Sequence, residues 1–473
     1  MTAVTENRTN KNHSTMKHII TFVAALIVCA TMIANPVSRE TARQVAVNFW
    51  KTTERGLASQ EEPVFVEISA ELGLQGFYVF TTAENDGFVI VSAEDAMTPI
   101  LGYSTRNGFV ENSGLPVNLS CWLRNYTQEA EAVREHSLEA DESTSRKWEN
   151  LVSGTYQPTA AGTKTTHLLN IPIWGPKEPC NNLCPLWHDT LTRVGCAAVA
   201  MAQVMRYHKW PVTGTGSHSY QSLTLRFTCE ADFGSTTYDW DNMPSGGADA
   251  PISTWNETQK NAVATLMYHC GVSVDMDYNL GTSWARMDDV LPALTTYFNY
   301  PDNIQYCKKN DYENDEWITM LKKEIDENRP IIYEGPGHAF VCDGYDTENN
   351  FHFNMGWHGA GDGFFALTSI IPNVSWGTNL SNNQKAHIGI SSPNNAIDNT
   401  ESCKVILYPN PTNGMLHVNG EGVQKIEVID AVGRVVISQT DGNFVDMSAL
   451  NKSIYTVRIT AKGGTFVRKV VKQ

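Results

Sequence analysis

Positive charge is in short supply: Lys and Arg number 35 against 51 Asp and Glu, a formal net charge of −16, with a sequence pI near 5.3. A surface of that sign repels phosphate backbones and anionic headgroups, so nucleic acid and anionic membranes are excluded as partners. Cysteine is scarce too, with 10 in 473 residues, which excludes a disulfide scaffold. The one long apolar run, 19–33, is interrupted by Thr21 and Thr31 and falls short of the ~20 residues that span a bilayer. There is no glycine-rich phosphate cradle, nucleotide fingerprint or solenoid repeat. What is present is core material: 41% of residues are apolar and 18% charged, a globular balance. The length calls for two or three domains.

The apolar run follows Met16-Lys17-His18 and leads to Ala34-Asn35-Pro36. That layout predicts a secretory signal peptide within residues 1–34, with an N-terminal anchor as the competing assignment and Met16 as a second candidate start. No stable membrane span is expected further on. Losing Cys29 with the signal leaves an odd number of cysteines in an exported chain, so at least one lacks an intramolecular partner.

Residues 35–140 read as a small α+β unit. A helix opened by Ser38 carries Ala42, Val45, Ala46, Phe49 and Trp50 at 3.6-residue spacing. Residues 141–166 are polar and predict a protease-sensitive linker. The largest block, 167–395, holds most of the aromatic, glycine-rich and histidine-bearing motifs. Residues 403–473 alternate short apolar runs with turn pairs such as Asn413-Gly414, which predicts a small β-sandwich.

Within the central block, the run from Cys196 to His208 predicts a helix stopped near Trp210-Pro211. Cys196 stands in its first turn, where free backbone N–H groups and the helix dipole favour a thiolate. Taken alone, a structural cysteine opening a core helix is the better fit. His338 follows Gly337 at the start of a predicted strand, a position from which a general base reaches a cleft. Asn354 ends the next strand, and antiparallel pairing predicts that it accepts the imidazole N–H, with Trp357 shielding that bond. The Cys–His–Asn order and a cysteine–histidine gap of roughly 140 residues match papain-type spacing.

These residues, with Ala202-Gln203-Val204-Met205-Arg206-Tyr207-His208, Tyr238-Asp239-Trp240, residues 272–278, Gly337-His338-Ala339-Phe340 and Asp362-Gly363-Phe364-Phe365, resemble the streptopain-like family of papain-fold cysteine peptidases. The resemblance implies an α+β fold: a papain-like catalytic domain, helices plus antiparallel sheet, between an α+β pro-domain and a β-sandwich. It implies Cys196 as nucleophile, His338 as base and then acid, and Asn354 as orienter, acting on proteins or peptides without a cofactor or metal. Residues 35–140 resemble the family's inhibitory pro-domain. Tyr408-Pro409-Asn410-Pro411 and the Lys469–Lys472 ending resemble a type IX secretion sorting domain, which implies the secretion machinery as a partner and a secreted or cell-surface location.

The departures matter. The family places a glutamine of the oxyanion hole where this chain has Pro176, which has no donor, and losing one such donor costs about 10²–10³ in rate. Lys177 is the candidate replacement. Met355 and Cys180 also depart from the pattern, and the loop 334–337 is short. The alternative is therefore a catalytically impaired surface protein that binds peptides. Cys180 and Cys184 predict a disulfide or two plain thiols rather than a zinc site. Asp275 and Asp277 are expected on one face of a strand.

Overall fold

The computed structural model describes residues 35–473 except 60, 74, 111–113, 159–166, 336, 369–383, 394–405, 409, 420–421, 431–433, 441 and 462–463. The expected signal peptide lies outside the described residues. Residues up to Ile390 form one compact unit and Ser391–Gln473 another.

The first unit opens with α1 (Arg39–Trp50), capped by the Ser38 hydroxyl on the Thr41 N–H; its five expected apolar positions are all buried. A meander follows: β1 (Phe65–Glu67), β2 (Phe77–Thr82), β3 (Phe88–Ser92) and β4 (Ile100–Ser104). Next come α2 (Val117–His136) and α3 (Glu142–Ser153). α3 corrects the expectation of a linker. Asp141 caps it through the Thr144 N–H, Gly154 ends it in a left-handed conformation, and Trp148 and Leu151 are buried against α1 and the meander. Two apolar residues a turn apart anchor an otherwise polar helix, which composition alone hides.

The central block supplies β5 (His167–Leu168), α4 (Cys196–His208), α5 (Glu257–Ser273), β6 (Gln305–Lys308) and α6 (Asn314–Asp326). It closes with β7 (Ile331–Gly335), β8 (His338–Tyr345), β9 (Asn350–Asn354), β10 (Gly363–Ala366) and β11 (Lys385–Ile388). One antiparallel sheet runs β1-β2-β3-β4-β10-β9-β8-β7-β11-β6, with β5 beside β8. The N-terminal block is therefore no separate lobe: β4 joins β10, with Tyr103 opposite Phe364 and Gly102 opposite Phe365. Only glycine fits at 102, because a Cβ there would lie 2.7 Å from the Phe365 ring. Tyr103 stacks on Phe364 at 5.2 Å and donates its hydroxyl to Asp346 at 2.9 Å. Trp122 of α2 meets Phe353 edge-on at 4.9 Å within a core common to both blocks. α4 packs between β8 and α5.

The second unit contains β12 (Ile406–Tyr408), β13 (Met415–Asn419), β14 (Lys425–Ile429), β15 (Val435–Thr440), β16 (Phe444–Asp446), β17 (Ser453–Ala461) and β18 (Gly464–Lys472). A three-stranded sheet, β12-β13-β16, and a four-stranded sheet, β15-β14-β17-β18, share a core of Leu416, Val418, Val428, Val445 and Val457. Alternating apolar residues make this small sandwich, as expected. Among the described residues, no helix is long and apolar enough to cross a membrane.

Candidate active site

Cys196 is the first residue of α4. Gly195 caps the helix without a side-chain hydrogen bond, so the first-turn N–H groups are left for a ligand. A Cβ at Gly195 would sit 2.2 Å from the Met276 sulfur and 3.0 Å from the Ser283 carbonyl, so glycine is required for this close approach. Residues Ala197–Met205 are all buried; the helix runs through the core and holds the thiol rigidly.

β7 and β8 form a hairpin with Gly335 opposite His338, and Gly337 takes a positive φ of 74° in the turn. That turn delivers His338 to the mouth of the sheet. The next N–H, of Ala339, donates to the Cys196 sulfur at 3.5 Å. Cys196 and His338 line one cavity together with Asn118, Pro176, Met355 and Trp357, and they also border a groove that carries Trp284, Tyr306, Glu334 and Lys385. The sequence-predicted pair is brought together.

Burial pushes the Cys196 thiol above its ordinary value, outweighing the lowering by the N–H groups of Ala339, Ala197 and Cys196. The helix start does favour a thiolate, as expected, but desolvation outweighs it here. Burial also lowers His338, and the Arg124 charge on α2 lowers it further. Both shifts favour a neutral thiol beside a neutral imidazole.

Three sequence models match successive parts of the chain: the Spi protease inhibitor over residues 34–130, the Peptidase C10 family over 174–365 and the secretion system C-terminal sorting domain over 406–473. Over residues 174–365 the chain is similar to the peptidase C10 family. It is 33% identical over 397 residues to the thiol protease/hemagglutinin PrtT of Porphyromonas gingivalis; the match takes in 80% of this chain and 45% of that relative, so the chain spans less than half its length. To streptopain of Streptococcus pyogenes it is 28% identical over 390 residues, covering 75% of this chain and 93% of streptopain. Among solved structures, a prointerpain A fragment from Prevotella intermedia superposes with a TM-score of 0.56 at 29% identity, over 70% of this chain and 99% of the fragment. The match to the sorting domain makes this a secreted or cell-surface protein.

Asn354 departs from the predicted geometry. It pairs with Val341 across the strands, three residues along from His338. Its Nδ2 donates to the Pro172 carbonyl at 3.0 Å. Its Oδ1 accepts from Gln203 Nε2 at 3.0 Å and from the Gly356 N–H at 3.1 Å. His338 Nδ1, buried, has no hydrogen-bond partner among the described residues. The strand pairing was foreseen and its register was not. Trp357 does line the cavity; Lys177 Nζ stands 5.5 Å from its ring centroid and the Arg193 guanidinium 5.6 Å, a cation–π pair that fixes the indole.

Two site residues escaped the sequence. Asn118, in the inhibitor-like block, lines the cavity and donates to the carbonyls of Ala339 at 3.0 Å and Met355 at 2.9 Å. No local signal marks it, since its partners lie more than 200 positions away. Gln203 sits two turns beyond Cys196, and its partner Asn354 shows only in three dimensions. Asp275 and Asp277 also differ from expectation, lying outside any strand: Asp275 pairs with His218 at 2.6 Å, and Asp277 accepts from the Thr224 N–H at 2.8 Å. Cys180 and Cys184 are buried free thiols, and no metal-ligating cluster is found among the described residues.

Proposed function

We propose that the chain is a secreted cysteine endopeptidase made as an inhibited precursor, with Cys196 as nucleophile and His338 as base and then acid. The supporting observation is the shared cavity, in which the residue after His338 donates its N–H to the Cys196 sulfur. In the active form the thiol proton passes to the imidazole and the thiolate adds to the substrate carbonyl carbon. The Cys196 N–H holds the oxyanion, the imidazolium gives its proton to the departing amine as the C–N bond breaks, and the imidazole then activates the water that opens the thioester. Asn354 and Trp357 support the wall facing this chemistry.

The inhibitory role proposed for the N-terminal block draws on Asn118, whose amide binds the carbonyls of Ala339 and Met355 and lines the cavity that holds the cysteine. Cutting between Gly154 and His167 is expected to release activity. A second proposal, a catalytically impaired peptide binder, draws on Pro176, which lines the cavity without an N–H. Active-site titration separates the two. A stoichiometric epoxide adduct on Cys196, absent in Cys196→Ala and accompanied by casein cleavage, supports the peptidase. Full labelling with no turnover of casein or any peptide library supports the binder.

A further inference from the structure

Behind the cleft wall lies a buried group of ionisable side chains that the chemistry above leaves unused. Alternation along β9 sends His352 and Asn354 to one side of the sheet, where they line a cavity of about 660 Å³ between the N-terminal and central blocks, together with Asp343 and Asp362. Asp343 is 3%, His352 9% and Asp362 1% exposed. Asp343 Oδ1 and His352 Nδ1 are 2.5 Å apart. Asp362 Oδ1 accepts the backbone N–H of Met355 at 2.7 Å.

That last bond ties the group to the cleft. Met355, Gly356 and Trp357 are consecutive residues of the wall around Cys196, and Asp362 holds the first of them by its backbone. We propose that Asp362 is a protonation-dependent positioning residue: ionised, it grips the Met355 N–H and sets the 355–357 wall; protonated, it loosens that grip. The consequence for turnover rests on the peptidase proposal above; the grip itself does not.

A hydrogen bond to a carboxylate is roughly twice as strong as one to a neutral acid, so a single proton changes the hold. Burial raises Asp362 to about 7, against the lowering by His352 and the Met355 N–H. Burial lowers His352, on β9, but Asp343 and then Asp362 outweigh it, so its imidazole ends up raised. The other charged groups facing this cavity are Asp343 on β8, Arg106 after β4, Glu54 and Asp249. Holding one N–H needs only an uncharged acceptor, and a carboxylate set beside a second carboxylate and a histidine adds sensitivity to pH.

The test uses the full chain carrying Cys196→Ala, labelled with ¹⁵N-methionine, the Met355 amide being assigned by its loss in Met355→Leu. From about pH 5.5 to about pH 8.5, this amide is expected to titrate with a midpoint near that of Asp362, and to be flat in Asp362→Asn. His352→Gln, which removes the lowering neighbour, is expected to move the midpoint upward and serves if Asp362→Asn does not fold. In the Cys196 protein, kcat/KM is expected to fall about fivefold in Asp362→Asn at about pH 8 and to match the unsubstituted chain at about pH 5.5. An amide insensitive to pH, an unmoved midpoint in His352→Gln, or a loss of kcat/KM equal at every pH overturns the proposal. If nothing is hydrolysed at any pH, the peptidase proposal fails alone and the amide titration still decides the grip.

Discussion

The backbone N–H of Ala339 points at the sulfur of Cys196 across 3.5 Å, joining a helix start to a strand start. With the N-terminal block in place, the thiol is held up and the His338 imidazole held down, so the pair stays neutral near pH 7. Iodoacetamide should therefore alkylate Cys196 slowly in the intact precursor, with a rate that climbs only as pH rises past the ordinary thiol range. Removing the N-terminal block admits water and takes away Arg124, and the rate at neutral pH should rise by about tenfold or more. Equal rates before and after removal count against this account.

Asn118 is 4% exposed and makes two hydrogen bonds to carbonyls beside the site. Asn118→Ala leaves both acceptors buried, at a cost of about 1–3 kcal/mol. The N-terminal block should loosen correspondingly, and labelling of Cys196 in the uncut chain should quicken by about tenfold. Mass spectrometry of the adduct measures it.

Gly195→Ala places a methyl group against the Met276 sulfur and the Ser283 carbonyl. The methionine can swing aside, but the backbone oxygen cannot, so the start of α4 must shift. A displaced nucleophile should cost about 10–10² in kcat/KM, read on a fluorogenic peptide after maturation, with little change in Tm.

Pro176 lines the cavity, and its carbonyl takes the Val194 N–H at 3.1 Å. Pro176→Gln keeps that carbonyl and adds a side-chain donor, so kcat should rise by up to about 10²-fold with KM little changed. No gain would mean that the oxyanion is already served by another donor, with Lys177 the first to test.

Local chemistry made part of this molecule legible. The small apolar residues of 196–208 with Pro211 beyond, and the glycine turn before His338, place both reacting groups without reference to anything distant. The register of β9 was not legible, because strand pairing is set by which side chains each face buries across the sheet and not by spacing along the chain; Asn354 faces Val341 rather than the imidazole. α3 stayed hidden because its stability comes from burying Trp148 and Leu151 against α1. Asn118, Gln203 and Asp362 owe their roles to partners in other elements, so residue type and spacing could not assign them.

The junction between β4 and β10 is only two residue pairs long, so little ladder has to be unzipped when the N-terminal block departs. If the block is removed as proposed, β10 would change from an interior strand into a border strand, and Phe364 would lose its stacked tyrosine. A bare border of this kind is a template for another extended segment. Under the proposed maturation, the cut molecule would expose a strand border that the uncut chain keeps covered.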